Sequence, residues 1–422
     1  MCGITGAYAF NEKGKSVSQK LDASVKTLSL RGPDGHGTFL HENVALGHSR
    51  LKIIDTSDQA NQPMFDESGR YAIVFNGEIY NYRELKKELS EFTFKTSSDT
   101  EALLYSYIKY GSACLNKLNG FWAFAIYDKM EQSLFLARDR MGIKPLLFYR
   151  DEDKIIFGSE MKALTAFGIQ KEIDRTSLWQ YLQFNYIPAP YSIFQNVQKL
   201  MPGHFMFIKN DEFEIKQFYE IPYPEKAEIS YENAQVKLEK LLDESVRKRL
   251  IADVPLGSFL SGGIDSSVVV ALASRHTQKL NTFSIGYKDE PMFDETRYAN
   301  LVAEKFKTNH TVFPLSNDDL YANLRQALNY IDEPFADSSA LAVHILSMHT
   351  RKHVTVALSG DGADELFSGY NKHSAEFLAR NPSIKERMVE AGNPIWKALP
   401  KSRNSKLGNL ARQLEKFGKA CH

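Results

Sequence analysis

The residue best suited to covalent chemistry is Cys2, which directly follows Met1. Removal of Met1 would place a thiol and a free α-amino group on one residue, and so supply a nucleophile together with a base. An α-amino group titrates near neutrality, whereas lysine amines stay charged at that pH. A cysteine at position 2 also occurs by chance, so a catalytic role for Cys2 depends on what the rest of the chain supplies.

Residues able to bind a small polar substrate follow in the first half of the chain. Asn76 and Gly77 come directly after the apolar run 71–75, and they offer a carboxamide and a backbone N–H to one point, as an oxyanion hole does. An isolated Asn-Gly pair is more often a simple turn. Arg50 is the cation within a strand-like stretch, and Asp99 either caps a helix or faces a substrate.

The second half contains a loop suited to phosphate. Residues 261–266, Ser-Gly-Gly-Ile-Asp-Ser, connect a predicted strand to a predicted helix, so backbone N–H groups and the helix dipole favour an anion there. Asp265 would repel phosphates unless a cation lay between them, which makes it a candidate Mg²⁺ ligand. The loop lacks the lysine of a Walker sequence. The alternative interpretation is a helix cap without a ligand.

An acidic stretch with glycines, residues 359–370, follows another predicted strand. Carboxylates at the carboxyl end of a strand fit the magnesium edge of a nucleotide site in an α/β sheet. The alternative is a solvated acidic turn, which the apolar flanking residues disfavour.

Composition excludes several classes of protein. The chain has 422 residues with 52 basic and 52 acidic side chains, so a broad nucleic-acid or membrane surface is not expected. Cys2, Cys114 and Cys421 are too few and too widely spaced for a disulfide framework or a zinc site, which favours a reducing, cytoplasmic location. No secretory leader or membrane-spanning run is evident. A homodimer is the default expectation for the oligomeric state.

Periodicity predicts two fold classes in one chain. Residues 2–160 contain many short strands with two or three helices, typical of a layered α+β domain. The second half alternates strands and helices, which predicts an α/β domain with a doubly wound parallel sheet. The predicted boundaries are a first domain at 2–207, a linker at 208–230 and a second domain at 231–422. The elements predicted for the second half are strands 254–260, 280–286, 310–313 and 353–358, and helices 231–252, 267–275, 295–305 and 318–331.

Six short motifs occur in order in the first half of the chain. Together they resemble the glutaminase domain of class II, N-terminal-nucleophile (Ntn) glutamine amidotransferases. The motifs are residues 1–6, 31–34, 48–51, 75–81, 98–101 and 137–146.

This resemblance implies a role for each candidate residue of the first half. Cys2 would attack the side-chain amide of glutamine, with its own amine as base and later as acid. The Asn76 side chain and the Gly77 N–H would stabilise the oxyanion. Arg50 would pair with the glutamine α-carboxylate through two parallel bonds, which lysine cannot match. Asp99, with help from Glu78, would hold the α-ammonium group.

The loop at 261–266 resembles the PP-loop of enzymes that cleave ATP to AMP and pyrophosphate. Combined with Cys2 and the stretch 359–370, it makes nearly the whole chain resemble the glutamine-hydrolysing asparagine synthetases. The resemblance implies that ATP adenylates the side-chain carboxylate of aspartate. Ammonia from the Cys2 site, carried through an internal channel, would then displace AMP.

The same resemblance assigns residues of the second half. Asp265 and Asp364 would hold Mg²⁺, and Asp361 would act at the acyl-adenylate. Segments 333–334 and 337–339 would line the acceptor pocket. The residues implied to bind ATP are Leu260, Ser261, Gly262, Gly263, Asp265, Ser266, Ile285, Ser359 and Gly360.

Members of this family usually continue beyond the point where the present sequence stops, so we expect a working glutaminase half and an impaired synthetase half. Two further interpretations stay open. The acceptor could be a different carboxylate, such as a sugar acid or a peptide. Alternatively, the chain could be a remnant that keeps only glutaminase activity or a non-catalytic binding role.

Overall fold

The computed structural model describes residues 1–223, 228–402 and 405–420, so Cys421 and part of the predicted linker, residues 224–227, lie outside the described residues. The chain divides into two compact units. Unit 1 comprises Met1–Leu256 and Asp318–Val356, and unit 2 comprises Gly257–Asn317 and Ala357–His422.

The strands are numbered in chain order. They are β1 (Gly3–Ala9), β2 (Gly35–His41), β3 (Val44–Arg50), β4 (Met64–Phe65), β5 (Tyr71–Ile79), β6 (Gly120–Asp128), β7 (Ser133–Arg138), β8 (Leu147–Arg150), β9 (Lys154–Gly158), β10 (Val197–Lys199), β11 (His204–Lys209), β12 (Glu212–Gln217), β13 (Leu256–Phe259), β14 (Asn281–Tyr287), β15 (Asn309–Leu315) and β16 (Val356–Leu358).

The α-helices are numbered in the same way. They are α1 (Glu12–Lys15), α2 (Leu21–Thr27), α3 (Tyr82–Glu88), α4 (Asp99–Tyr110), α5 (Met161–Ala166), α6 (Arg175–Phe184), α7 (Tyr231–Arg249), α8 (Ile264–His276), α9 (Thr296–Phe306), α10 (Asn317–Leu328), α11 (Ser339–Thr350), α12 (Ala363–Phe367), α13 (Asn371–Arg380), α14 (Ile384–Ala391), α15 (Asn393–Ala398) and α16 (Lys406–Ala420).

Unit 1 is built on two six-stranded sheets whose order is β10-β8-β9-β1-β3-β2 and β12-β11-β7-β6-β5-β4. Adjacent strands of both sheets run antiparallel, and their side chains alternate between the two faces. One face of each sheet supplies a shared core that includes Ile4, Leu46, Val74 and Phe157. The two sheets therefore pack face to face.

Helices cover the outer faces of both sheets. On the first sheet, residues of α2 and α5 such as Val25 and Leu164 pack against Ala7 and Ile156. On the second sheet, α3 and α4 form a core with the opposite face of β5. The result is a helix–sheet–sheet–helix arrangement, which confirms the layered α+β fold predicted for the first half.

The hairpin of β11 and β12 crosses residue 207, where the predicted linker begins. Its second strand alternates charged Glu212, Glu214 and Lys216 with apolar Phe213 and Ile215, and it forms an edge of the sheet. Exposed charges at alternate positions are expected on an edge strand, because they discourage pairing with another chain. The helix α7 also groups with unit 1, whereas the prediction began the second domain with it.

Unit 2 contains the sheet β15-β14-β13-β16, in which β13 and β14, and β14 and β15, run parallel. Helices α8 and α9 connect successive strands, as parallel pairing requires. This confirms the α/β class with a parallel sheet. In the described part of the chain, we find no helix with both the length and the apolar character needed to cross a membrane.

Candidate active site

A cleft in unit 1 contains every residue predicted for glutamine chemistry. It holds about 480 Å³ of empty space, part of it open to solvent. Antiparallel pairing of β1 with β3 brings the start of one strand to the end of the other, while the end of β5 and the first turn of α4 complete the walls. The predicted residues in this cleft are Cys2, Arg50, Asn76, Gly77, Glu78 and Asp99.

Cys2 lies at one wall, where its Sγ is 3.4 Å from the N–H and 3.6 Å from the carbonyl oxygen of Leu51. Burial raises the pKa of the thiol, while the Leu51 N–H acts in the opposite direction. The Met1 amine donates to the Arg31 carbonyl at 3.2 Å, and burial lowers its pKa to about 5. Burial therefore favours the neutral form of the Met1 amine, and the neutral form of an amine is the one that accepts a proton.

Asn76 carries an unpaired carboxamide. The residue is 1% exposed, and among the described residues neither Oδ1 nor Nδ2 has a hydrogen-bond partner. Leaving such a group unpaired costs about 1–3 kcal/mol. At Gly77, a Cβ would lie 2.3 Å from the carbonyl oxygen of Phe121 and 2.7 Å from Trp122 Cα, so only glycine fits between β5 and β6. An unpaired donor beside a cleft is what an oxyanion site requires.

Arg50 is 4% exposed and is held by the protein on one side. Its Nη1 donates to the Ser57 carbonyl at 2.7 Å and to Asn61 Oδ1 at 2.6 Å, and its Nη2 donates to the Asp55 carbonyl. A guanidinium has five N–H donors. These bonds leave the Nε donor and one Nη2 donor, which together match the two oxygens of a carboxylate.

Two carboxyl groups lie at the other end of the cleft. Asp99 begins α4, and its Oδ2 accepts from the Ile79 N–H at 2.9 Å. Burial raises the pKa of Asp99 to about 7, and it also raises the pKa of Glu78. A bound ammonium group would offset that desolvation and favour the ionised carboxylates. The arrangement suits an amino acid, with a cationic site and an anionic site in one cleft.

The sequence prediction missed two side chains that position this cleft. Gln62 accepts from the Phe75 N–H at 2.6 Å and donates to Thr100 Oγ1 at 3.2 Å, so it connects the strand of Asn76 with the helix of Asp99. His48 Nε2 donates to the Phe75 carbonyl at 3.1 Å, and burial lowers its pKa to about 3. Both side chains bond the backbone of Phe75 at the edge of β5, which is accessible there because β4 pairs only with residues 72–73.

Lys144 also lines the cleft, and it lies in the motif 137–146, for which the sequence predicts no specific role. Its ammonium lies 2.8 Å from Met1 Sδ, and burial lowers its pKa. The buried Asp139 carboxylate fixes this loop by accepting from the N–H groups of Met141, Ile143 and Lys144 at 2.9–3.1 Å. Lys144 thus places a second basic side chain in the cleft that contains Cys2.

The predicted nucleotide loop lies in unit 2, between β13 and α8. Gly262 has a φ of 88°, and a Cβ there would lie 2.6 Å from the Ala299 nitrogen, so glycine is required for both reasons. Gly263 caps α8 without a side-chain hydrogen bond. Ser261 and Ser266 hold the loop through an Oγ–Oγ hydrogen bond of 3.0 Å. The uncapped N-terminus of a 13-residue helix leaves backbone donors for an anion.

The stretch after β16 lies against this loop. A Cβ on Gly360 would lie 2.8 Å from the Ser266 nitrogen, so glycine permits the close approach. Ser359 Oγ donates to Asp361 Oδ2 at 2.9 Å, and both Asp265 and Asp364 are half-buried. Among the described residues no group of three or more His, Cys, Asp or Glu could hold a metal ion. Mg²⁺ commonly takes only one or two carboxylates together with substrate phosphates, so Asp265 and Asp364 stay predictions as its ligands.

The remaining residues predicted to bind the nucleotide lie in or directly after strands of the same sheet. Leu260 is 1% exposed and donates its N–H to the Phe283 carbonyl at 2.9 Å, and Ile285 lies in β14 opposite Phe313 of β15. Leu260 directly follows β13, and Ile285 lies in the carboxyl-terminal half of the adjacent parallel strand β14. Ligands of α/β sheets bind at this end of the strands. The segments predicted to line the acceptor pocket, 333–334 and 337–339, lie in unit 1.

Comparison with known proteins gives two family matches. The model of a glutamine amidotransferase domain matches residues 1–219, and the model of asparagine synthase matches residues 237–422. A Methanocaldococcus jannaschii protein provisionally named asparagine synthetase (glutamine-hydrolyzing) 2 is 37% identical over 94% of this chain and 82% of its own length. Asparagine synthetase (glutamine-hydrolyzing) 1 of Bacillus subtilis is 37% identical over 92% of this chain and 62% of its own length.

A more distant relative has a different name. Amidase chry2 of Gibberella zeae is 31% identical over 90% of this chain and 61% of its own length. The chain thus spans between 61% and 82% of the length of these three relatives. Because both family models match in order and the Methanocaldococcus relative is similar over most of its length, the chain belongs to the glutamine-hydrolysing asparagine synthetase family of ATP-dependent ligases.

Proposed function

We propose that this enzyme converts aspartate to asparagine, using ATP and the ammonia released from glutamine in the Cys2 cleft. The observation that carries the proposal is the buried, unpaired carboxamide of Asn76 in the same cleft as Cys2. An unpaired buried donor is costly, so its presence favours a ligand oxygen that it binds. Cytoplasmic location is part of the proposal, because Cys2 must remain a reduced thiol.

The first half-reaction begins once Met1 is removed. The Cys2 thiol attacks the amide carbon of glutamine, and its proton passes to the neutral α-amine. Asn76 and the Gly77 N–H stabilise the oxyanion of the tetrahedral intermediate. The amine then gives its proton to the departing ammonia, and water hydrolyses the thioester to glutamate.

Glutamine is held by its two charges. Arg50 is already fixed by three protein acceptors, so it binds the α-carboxylate through its two remaining donors with little loss of side-chain freedom. Asp99 and Glu78 bind the α-ammonium. A substrate that lacks either charge leaves a buried ionisable group unpaired, which gives selectivity for a free amino acid.

The second half-reaction uses the loop of unit 2. A carboxylate oxygen of aspartate attacks the α-phosphorus of ATP, which releases pyrophosphate and forms β-aspartyl-adenylate. Ammonia then attacks the acyl carbon and AMP leaves. The loop at 261–266 and Gly360 bind the phosphates through backbone N–H groups. Asp265 and Asp364 would hold Mg²⁺, which when bound neutralises phosphate charge. Asp361, whose carboxylate accepts a hydrogen bond from Ser359, follows Gly360 directly in the sequence and would act at the adenylate.

The testing experiment measures pyrophosphate release from ATP and Mg²⁺, with and without aspartate, while ammonium replaces glutamine. Release that depends on aspartate, together with asparagine as product, supports the proposal. The variant Cys2→Ala is the matched control, since it should keep the ammonium-dependent reaction and lose glutamate formation from glutamine. Absence of aspartate-dependent release from a folded protein that still hydrolyses glutamine would refute the asparagine synthetase assignment.

A second acceptor is the alternative. One relative of comparable coverage is named an amidase rather than an asparagine synthetase, so the family includes proteins with other names. A panel of sugar acids and peptide carboxylates in the same pyrophosphate assay distinguishes the two proposals. Pyrophosphate release that responds to one of these acceptors and not to aspartate would favour the alternative.

A further inference from the structure

Asp253 supports the glutamine cleft from an unexpected part of the chain. It follows α7 and lies within residues 237–422, which match the asparagine synthase model, and outside residues 1–219, which match the amidotransferase model. Within unit 1, Asp253 Oδ2 accepts from the Asp55 N–H at 2.7 Å, and the Asp253 N–H donates to the Ile53 carbonyl at 3.0 Å. Two hydrogen bonds therefore hold Asp253 against the wall of the cleft.

Asp55, the residue that Asp253 bonds, contacts Arg50 and also the segment that leads to Asp99, the two proposed binding groups for glutamine. The carbonyl of Asp55 accepts from Arg50 Nη2, and the Asp55 carboxylate accepts from the N–H and Oγ of Ser97 at 2.7 and 3.1 Å. Ser97 lies two residues before Asp99. Asp55 therefore connects the guanidinium for the α-carboxylate with the helix start for the α-ammonium.

Asp55 needs support to keep this position. Its φ is 52°, in the left-handed region that residues other than glycine rarely adopt, and it is 8% exposed. A residue in that conformation persists only where its surroundings hold it. The bond to Asp253 fixes the N–H of Asp55, while Arg50 and Ser97 occupy its carbonyl and carboxylate.

The segment that carries Asp253 is itself anchored. The guanidinium of Arg249 lies 4.8 Å from the ring centres of both Tyr80 and Phe121, and Ile251 packs against the core beneath the second sheet. Tyr80 lies two residues after Glu78, another residue of the cleft. The segment 249–253 therefore acts as a rigid support rather than a free connection.

We propose that Asp253 is a positioning residue for glutamine recognition, acting through Asp55 on Arg50 and Asp99. The inference rests on the proposed function of the cleft as a glutaminase and goes beyond it, since it places part of the glutamine site outside the amidotransferase-matched residues. Asp253 is not a catalytic residue, because it does not itself line the cleft and touches the cleft wall only through Asp55 and Ile53.

The test uses the full chain with Asp253→Ala and follows glutamate formation from glutamine. We expect KM for glutamine to rise about three- to tenfold, the effect of one hydrogen bond, while kcat stays within about twofold because the Cys2 and Asn76 geometry is untouched. Asp253→Asn keeps an oxygen that accepts from Asp55 and should return KM to within about twofold of wild type. Glu232→Ala, on the exposed start of α7, is the control and should change nothing.

A second readout separates positioning from a loss of folded protein. The α-amide of glutamine lacks the carboxylate that Arg50 binds, so wild type should prefer glutamine over it. Asp253→Ala should reduce that preference about three- to tenfold, whereas partial unfolding would lower both rates equally. Circular dichroism and thermal unfolding verify the fold. If Asp253→Ala does not fold, Asp253→Ser, whose oxygen is one bond shorter, is judged by the same criteria.

Three outcomes would overturn the proposal. One is an unchanged KM in the folded alanine or serine variant. Another is an asparagine variant as impaired as alanine, which would assign the effect to charge alone. The third is an equal loss of rate for glutamine and its α-amide. Failure of the proposed function is a separate result, since wild type itself would then form no glutamate.

Discussion

The buried carboxamide of Asn76 leads to a prediction in which kcat falls while the free energy of unfolding stays the same or rises. The change is Asn76→Leu, which keeps the branched shape of the side chain and removes both polar atoms. Since neither polar atom has a partner among the described residues, the substitution breaks no hydrogen bond of the ligand-free protein. It removes one donor from the proposed oxyanion site.

The magnitudes follow from these contacts. Removing a buried group that is already unpaired relieves a cost of about 1–3 kcal/mol, so the free energy of unfolding should stay the same or rise by up to that amount. Losing one oxyanion donor should lower kcat about 10²- to 10³-fold, as is typical of such sites. The Gly77 N–H remains, so activity should not vanish.

Gln62→Met is the matched control. Gln62 is also a buried carboxamide, but its two polar atoms bond the Phe75 N–H and Thr100 Oγ1. Methionine has a similar length and leaves both partners unpaired. We expect the free energy of unfolding to fall by about 1–3 kcal/mol for each partner that stays unpaired.

The assays are urea unfolding and glutamate formation from glutamine. Destabilisation of Asn76→Leu by more than about 1 kcal/mol would refute the reasoning, because it would mean that the carboxamide has a partner within the folded protein. Equal effects of the Asn76 and Gln62 substitutions on unfolding would refute it as well.

Four further predictions address glutamine binding, the pH dependence of activity, the pH dependence of stability and the predicted nucleotide loop. Arg50→Lys should raise KM for glutamine about tenfold to a hundredfold in the glutaminase assay, since lysine cannot make paired bonds to the carboxylate. Burial raises the pKa of Asp99 to about 7, so kcat/KM for glutamine should fall as pH drops below about 7, and Asp99→Asn should remove that limb of the profile. The same shift means that Asp99 stabilises the fold least above pH 7 and progressively more as pH falls towards its ordinary value, which urea unfolding against pH can check. Gly360→Ala places a Cβ 2.8 Å from the Ser266 nitrogen and 2.9 Å from Asp265 carbonyl carbon, so ATP-dependent pyrophosphate release should fall while glutamate formation is unchanged.

Strongly periodic elements could be predicted from the sequence. The long helix predicted at 231–252 is observed at Tyr231–Arg249, and the strand predicted at 280–286 is observed at Asn281–Tyr287. The helical spacing of Val17, Leu21, Val25 and Leu28 predicts one amphipathic helix over residues 17–30. These four residues are buried, but the segment forms a 3₁₀ turn at Ser16–Lys20 followed by a helix at Leu21–Thr27. Ser18 and Thr27 bond backbone carbonyls three residues earlier, and such bonds compete with a continuous helix.

Three glycines within residues 31–37 predict a loop, but strand β2 already begins at Gly35. Gly37 is required there because a Cβ would lie 2.3 Å from the Gln62 carbonyl oxygen, a contact between distant segments. Gly37 is therefore needed because two distant backbone segments lie close together there, and not because the chain turns at this residue.

The site could be predicted where residue type and motif order carry the chemistry, as for Arg50 and Asn76. Gln62, His48 and Asp55 could not be found, because each acts through a side chain that bonds a backbone group of another segment. Such bonds depend on tertiary packing and leave no periodic pattern. The roles of Asp265, Asp361 and Asp364 stay predictions.

The short strand β4 has a consequence for how this cleft can change in evolution. Strand β4 pairs only with residues 72–73 of β5 and does not reach Phe75. On that side of β5, the N–H and carbonyl of Phe75 therefore bond the side chains of Gln62 and His48 instead of a neighbouring strand. When a neighbouring strand bonds an edge, a substitution in that neighbour rarely changes the hydrogen bonds, since nearly every residue type supplies the same backbone N–H and carbonyl. An edge completed by side chains can be altered one substitution at a time, so mutational drift could change the strand that carries Asn76 while both sheets stay intact.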